Sequence, residues 1–211
     1  KLKLNEEVVY IIDAEYDRMA IRTEAYKIER SKRELSKMEA VLGADETIDS
    51  LVNDIIDHYE NYRADLLTGK AMIVAYSRAI AMKIYKRILE LRPKWDKKVK
   101  VVLTNSNKDP EDWHKYIGNK AYKEELANKF KDNDDPMKIA IVCDMWLTGF
   151  DVPSLATMYV YKPMNGHNLM QAIARVNRVY KDKEGGLVVD YVGIANALKQ
   201  AMNDYTKKDK E

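Results

Sequence analysis

The sequence predicts an α/β protein, a parallel sheet with helices on both faces, preceded by an N-terminal helical hairpin or linker. Three observations predict it. From residue 69 onward, short runs that are apolar throughout alternate with amphipathic segments, as expected of buried parallel strands and their crossover helices. Before Gly69 there is no Pro and a single Gly, Gly43, and apolar residues recur at helical spacing. The chain has 211 residues, 46% of them hydrophobic, enough for a proper core. We divide it into a helical extension, 1–68, and a sheet domain, 69–211.

The elements follow in order. Val8, Ile12, Tyr16 and Met19 open a helix read from Glu6 to Ala40 and stopped by Gly43. Its charged stretch, Lys27 to Glu39, reads as a solvated face. Ile48, Leu51, Val52, Ile55, Ile56 and Tyr59 define a second helix, Glu46 to Leu66, for which Asp45 or Thr47 could be the cap. Ala71 to Tyr76 is the first strand, and Ala79 to Leu91 a helix ended by Pro93. Lys100 to Thr104 is the second strand; Asp109-Pro110 opens a helix, and Ala121 to Phe130 is another. Lys138 to Cys143 and Ala156 to Tyr161 are the third and fourth strands. Asn168 to Val176 is a helix, Gly186 to Asp190 the fifth strand, and a last helix runs through Ala197 to Met202. The crossovers should be right-handed.

Composition excludes several classes. The formal net charge of +2 is too small to name a partner by itself. One cysteine, Cys143, rules out an internal disulfide framework and a cysteine zinc site, and a reducing, cytoplasmic setting fits. No run approaches the ~18 apolar residues of a spanning helix, so no membrane partner is expected. Lys1 to Tyr10 lacks a signal-peptide core and an initiator Met, and reads as cut from something longer. His58, His114 and His167 lie far apart, without metal-ligand spacing.

Ligands of such a sheet bind at the loops following the carboxyl ends of its strands. After the fourth strand, Gln171, Arg175 and Arg178 sit at i, i+4 and i+7, one stripe of a helix. Two guanidiniums and an amide there suit a phosphate chain, since the planar fork matches phosphate oxygens two at a time. A solvated basic face would show the same spacing. After the third strand comes Asp144-Met-Trp-Leu-Thr148-Gly149-Phe-Asp151-Val-Pro153. There Gly149 lets backbone approach a ligand, Asp151 can accept from a ribose, and Thr148 can touch a phosphate. A capped turn reads equally well. Ser77 and Arg78 end the first strand and Thr104 the second; they suit a nucleic-acid backbone, though Ser77 also suits a helix N-cap.

Together these loops form an ordered set: Val-Ala-Tyr-Ser-Arg at 74–78, Thr-Gly-Phe-Asp-Val-Pro at 148–153 and Gln-Ala-Ile-Ala-Arg-Val-Asn-Arg at 171–178. The set resembles motifs four, five and six of superfamily-two helicases. With Lys162-Pro-Met-Asn-Gly-His-Asn and Gly185-Gly-Leu-Val-Val-Asp-Tyr-Val-Gly-Ile-Ala, it is similar to the R (restriction, motor) subunit of type I restriction-modification enzymes over about residues 54–198. The resemblance implies a RecA-like second motor domain. ATP and Mg2+ would be bound mainly by a first RecA-like domain of the same subunit. Arg178 would be the arginine finger, Arg175 a second phosphate contact, and Gln171 the phosphate sensor. Gly149 and Asp151 would face the nucleotide, while Ser77, Arg78, Thr104 and Thr148 would touch double-stranded DNA. Methyltransferase and specificity subunits would be the further partners.

The chain lacks a G-x-x-x-x-G-K-[S/T] loop, since Gly69-Lys70 has neither the upstream Gly nor the hydroxyl. It also lacks an Asp-Glu-x-His motif and the family's nuclease signature. It is therefore expected to hydrolyse no ATP and cut no DNA alone. A non-catalytic nucleic-acid-binding α/β domain, another superfamily-two half, and a scaffold docking through residues 6–66 are the alternatives.

Overall fold

The computed structural model describes residues 25–147, 149–181 and 185–193, with side chains from residue 33 onward. Five strands form one sheet: β1 (Ala71–Ala75), β2 (Val99–Val102), β3 (Ile139–Val142), β4 (Thr157–Tyr161) and β5 (Leu187–Asp190). All pairings are parallel and the order is β2-β3-β1-β4-β5. Residues of β1, β3 and β4 are buried without exception, which is why these segments read as unbroken apolar runs. β5, at the edge, is only partly covered.

Five longer helices accompany the sheet: α1 (Ala25–Leu42), α2 (Asp45–Tyr62), α3 (Arg78–Leu91), α4 (Lys120–Lys131) and α5 (Gly166–Val176). With the right-handed crossovers usual for parallel strands, this order puts α3 on one face and α4 and α5 on the other, and α2 packs against α3. The buried stripe of α2 is the six residues its spacing predicts, Ile48, Leu51, Val52, Ile55, Ile56 and Tyr59. They join one continuous core with the strands and α3. Among the described residues, no helix is long and apolar enough to cross a membrane.

The hairpin α1–α2 is fastened to β4 by a ladder of period two. Arg63 Nε donates to Thr157 Oγ1 at 2.7 Å, Tyr159 Oη meets His58 Nδ1 at 2.9 Å, and Tyr161 Oη donates to Leu42 O at 2.9 Å. Side chains at i, i+2 and i+4 of a strand share one face, so all three reach the same pair of helices. Behind the other face lies Lys70, fully buried. Its ammonium donates to Met137 O (2.6 Å), Asp132 O (2.7 Å) and Lys129 O (3.3 Å), closing the C-terminal end of α4. Burial draws its pKa down to about 8.

Several boundaries differ from expectation. α1 is described only from Ala25 and runs to Leu42, past the expected end at Ala40; residues 6–24 and the expected helix through Ala197 to Met202 lie outside the described residues. α2 ends at Tyr62 instead of Leu66, because Arg63 turns away to hold Thr157 and Ala156 O on the sheet. The N-cap of α2 is Ala44, with no side-chain cap. Asp45 is already helical and pairs instead with Lys83 at 2.8 Å, while the acidic first turn still opposes the helix dipole favourably. Asp109-Pro110 leads into a short 3-10 turn, Glu111–Trp113, and a single α-turn, His114–Ile117.

Candidate functional site

At the carboxyl edge the chain leaves β1 to one side, for β2, and later leaves β3 to the other side of β1, for β4 and then β5. The loops following the strands therefore diverge about β1, which is where such sheets bind ligands. Two neighbourhoods form there.

The first lies between α5 and the loop after β3. In that loop Trp146 takes φ +66° and Gly149 φ +71°. The Trp146 backbone costs on the order of 1–3 kcal/mol. It is held by stacking: Trp146 lies against Phe150 with centroids 4.1 Å apart, and against Phe130 of α4 at 5.6 Å. These aromatics are packing groups. Gly149 owes its identity to its backbone angle, since a Cβ there would meet nothing within 4 Å. Gly186 is the opposite case: a Cβ would come 2.1 Å from Val176 O, so the glycine lets β5 start against the end of α5.

Arg175 straddles this loop from inside. Its Nε donates to Leu147 O at 2.7 Å, and a terminal nitrogen donates to Phe150 O. Burial lowers its pKa, with Asp151 opposing and Arg178 reinforcing the shift, so the three charges share one field. Arg178 pairs with Asp151 at 3.0 Å, and both side chains are about half exposed (50% and 52%). Gln171 sits nearer the start of α5, its Nε2 against His167 Nε2 at 2.6 Å. Arg175, Arg178 and Asp151 are thus brought together beside Gly149, and Gln171, one turn before Arg175 on α5, is bonded to His167. The expected single helical stripe is corrected in one respect. α5 ends at Val176 and Asn177 is its C-cap, so Arg178 projects from the segment beyond the helix. Thr148 lies outside the described residues.

The second neighbourhood is a cleft of about 540 Å³ whose lining includes Glu39, Ser77, Arg78, Asp109, Asp144 and Lys162. Ser77 caps α3, accepting from Ile80 N at 3.2 Å, and its hydroxyl donates to Glu39 Oε1 at 2.5 Å. Arg78 pairs with Asp109 at 2.5 Å over the ring of Trp113. The hydrogen bond from Arg78 holds the Asp109 carboxyl below its ordinary range. Lys162 pairs with Asp144 at 2.5 Å. Cys143, at the floor, has its thiol pushed up to about 11 by burial, which leaves it unreactive near neutrality. Thr104 is exposed in the loop after β2 and does not line the cleft. Glu39, Asp109, Asp144 and Lys162 were not singled out from the sequence. They come from four separate segments, and no local spacing ties residue 39 to 77 or 78 to 109. Among the described residues, no three His, Cys, Asp or Glu side chains converge as a metal site would require.

The chain resembles proteins of one family. Residues 94–193 match the family model described as type I restriction enzyme subunit R domain 3. Over 199 residues the chain is 45% identical to a protein of Methanocaldococcus jannaschii assigned as the type I restriction enzyme MjaIXP endonuclease subunit, covering 93% of this chain and 19% of that one. Over 201 residues it is 42% identical to the type I restriction enzyme HindI endonuclease subunit of Haemophilus influenzae, covering 91% and 19%. The chain thus spans about one fifth (19%) of the length of these relatives. A solved fragment assigned as an HsdR subunit of a type I restriction enzyme from Vibrio vulnificus YJ016 shares the fold. Its TM-score is 0.58 at 17% identity, over 77% of this chain and 30% of that one. The sheet and its helices are RecA-like.

Proposed function

The chain belongs to the family of type I restriction enzyme R subunits, and from that premise we propose that residues 69–211 are the second motor domain of an ATP-dependent DNA translocase. Residues 1–68 are its helical extension. ATP and Mg2+ are bound by a preceding RecA-like domain, and this domain closes over the triphosphate and supplies an arginine finger. The observation that carries the reading is the division of labour between two arginines three residues apart. Arg175 is committed to the carbonyls of Leu147 and Phe150, fixing the loop that bears Asp151. Arg178 is held by a half-exposed carboxylate at the rim.

An ion pair of that exposure is worth less than about 1 kcal/mol, so a triphosphate displaces Asp151 at small cost. Arg178 then places a planar fork on phosphate oxygens in a site that closure dries. Arg175 acts as a positioning residue in this scheme, not as a second phosphate contact. Asp151 receives Arg178 again once phosphate leaves. Gln171, bonded to His167, orients water or senses the terminal phosphate. The magnesium ligands belong to the other domain and to the phosphates. The cleft at Ser77 and Arg78 takes the duplex backbone, and Thr104 and Thr148 are assigned further contacts to it. Methyltransferase and specificity subunits complete the assembly.

The test is Arg178→Ala in the R subunit that carries this segment. A finger contributes about 10³–10⁵ in turnover. DNA-stimulated ATPase should therefore nearly vanish while nucleotide binding persists. A loss of only several-fold would refute the assignment.

A further inference from the structure

The cleft at the end of β1 holds its own substitutes for phosphate. Arg78 uses one terminal nitrogen on Asp109, while its Nε is buried with no hydrogen-bond partner. A guanidinium fork is satisfied by two acceptor oxygens side by side, so this one is half used. Asp109 is set differently. Its side chain is 3% exposed, against 26% for Arg78, and the oxygen facing Arg78 also accepts from Ser106 N at 2.9 Å. If the pair opens, Asp109 keeps its backbone donor and the guanidinium is the group that moves. Next to it the Ser77 hydroxyl is occupied by Glu39. Glu39 belongs to α1, whose Leu35 O also receives the Tyr76 hydroxyl at 3.5 Å. Two carboxylates, one on α1 and one in the loop after β2, thus occupy the two donors, Ser77 and Arg78, that would serve the DNA backbone.

We propose that Asp109 and Glu39 form a carboxylate latch on this cleft, displaced by a backbone phosphate of duplex DNA and setting the affinity for it. The proposal rests on the reading that Ser77 and Arg78 contact DNA. A phosphate offers the fork the second oxygen that Asp109 does not. The carboxylates impose a threshold, since a phosphate entering beside them meets like charge until they are released. Because Glu39 rides on α1, displacement of that helix opens half of the latch without touching the sheet. The latch is therefore a point at which the helical extension regulates DNA engagement.

Charge-only substitutions test this. In the R subunit carrying this segment, Asp109→Asn and Glu39→Gln keep the shape and can still accept from Ser106 N and from the Ser77 hydroxyl. Binding is read by fluorescence anisotropy on labelled random-sequence duplex across a salt series, with thermal melts confirming folding. Each substitution should tighten binding on the order of 3–10-fold at low salt. Arg78→Ala should weaken binding and reduce the salt slope by about one unit. Asp109→Asn should have no effect in the Arg78→Ala background, and Glu39→Gln none in a Ser77→Ala background. If Arg78→Ala weakens binding but neither carboxylate change tightens it, the latch is wrong and the DNA reading stands. Tightening that persists without Arg78 and Ser77 would mark a bulk charge effect and also overturn the latch. If Arg78→Ala leaves affinity and slope unchanged, the DNA reading fails and takes the latch with it. Should the buried Asp109 prove intolerant of change, Glu39→Gln alone decides between these outcomes.

Discussion

The body of α5 and the segment just beyond it carry the same kind of side chain to opposite ends. Arg175, inside the helix, spends its donors on backbone carbonyls at Leu147 and Phe150. Those oxygens lose charged donors if it leaves. Arg178, past the C-cap, is paired with a half-exposed carboxylate that water can satisfy equally well. An arginine bound to carbonyls is a structural tie, and one bound to a rim carboxylate is releasable. Arg78 combines both traits: its partner Asp109 is buried, yet one nitrogen of its own fork is unfilled. The partner's exposure and its alternative donors decide which guanidinium can serve a ligand.

The sharpest way to break this comparison is to truncate both arginines in turn. Arg178→Ala should cost about 4–7 kcal/mol in transition-state stabilisation, the equivalent of the finger's rate factor. It should leave the melting temperature of the R subunit nearly unchanged. Arg175→Ala should instead destabilise the domain by about 2–4 kcal/mol, since two carbonyls lose charged donors, read by chemical denaturation of the 211-residue chain. If the two variants behaved alike in both measurements, the division of roles would collapse.

Lys70 extends the comparison to a cation tied wholly to carbonyls. Its folded-state pKa is about 8, against 10.5 for an ordinary lysine. Between those values the unfolded chain binds the proton that the folded chain has lost. Stability therefore rises with pH across that window, by up to about 3 kcal/mol. It is flat, for this group, below about pH 8. Denaturant midpoints followed from about pH 8 to 10.5 should show the rise, and Lys70→Met should flatten it. The smallest effect is expected for Asp151→Asn, which neutralises the carboxylate facing Arg178 and removes an exposed pair worth under about 1 kcal/mol. Denaturation should register almost nothing, while steady-state ATPase in the R subunit should reveal whether return of Arg178 to Asp151 shapes turnover.

Most of the fold is legible because burial is uniform along the three central strands. β1, β3 and β4 have no exposed residue to blur their limits, and the α2 stripe was read residue for residue. Errors fell where a tertiary contact overrides propensity. Nothing near residue 63 announces that Arg63 will leave its helix for Thr157, and Asp45 prefers Lys83 to capping. In the site, Arg175, Arg178 and Asp151 were visible because their spacing and order in the chain carry the pattern. Glu39, Asp109 and Lys162 were not, because each meets its partner across the sheet edge from another segment. The i, i+4, i+7 spacing counts Arg178 on the stripe of α5, although the apolar spacing ends the helix at Val176, and Asn177 is its C-cap.

The three rungs from Thr157, Tyr159 and Tyr161 have a mechanical consequence. β4 is flanked by strands on both sides, so whatever tugs on the hairpin pulls on the middle of the sheet, not on a free border. A load on the hairpin is divided over three fastenings set along one strand. A rod bolted in that manner to a rigid plate transmits a stroke with little slack.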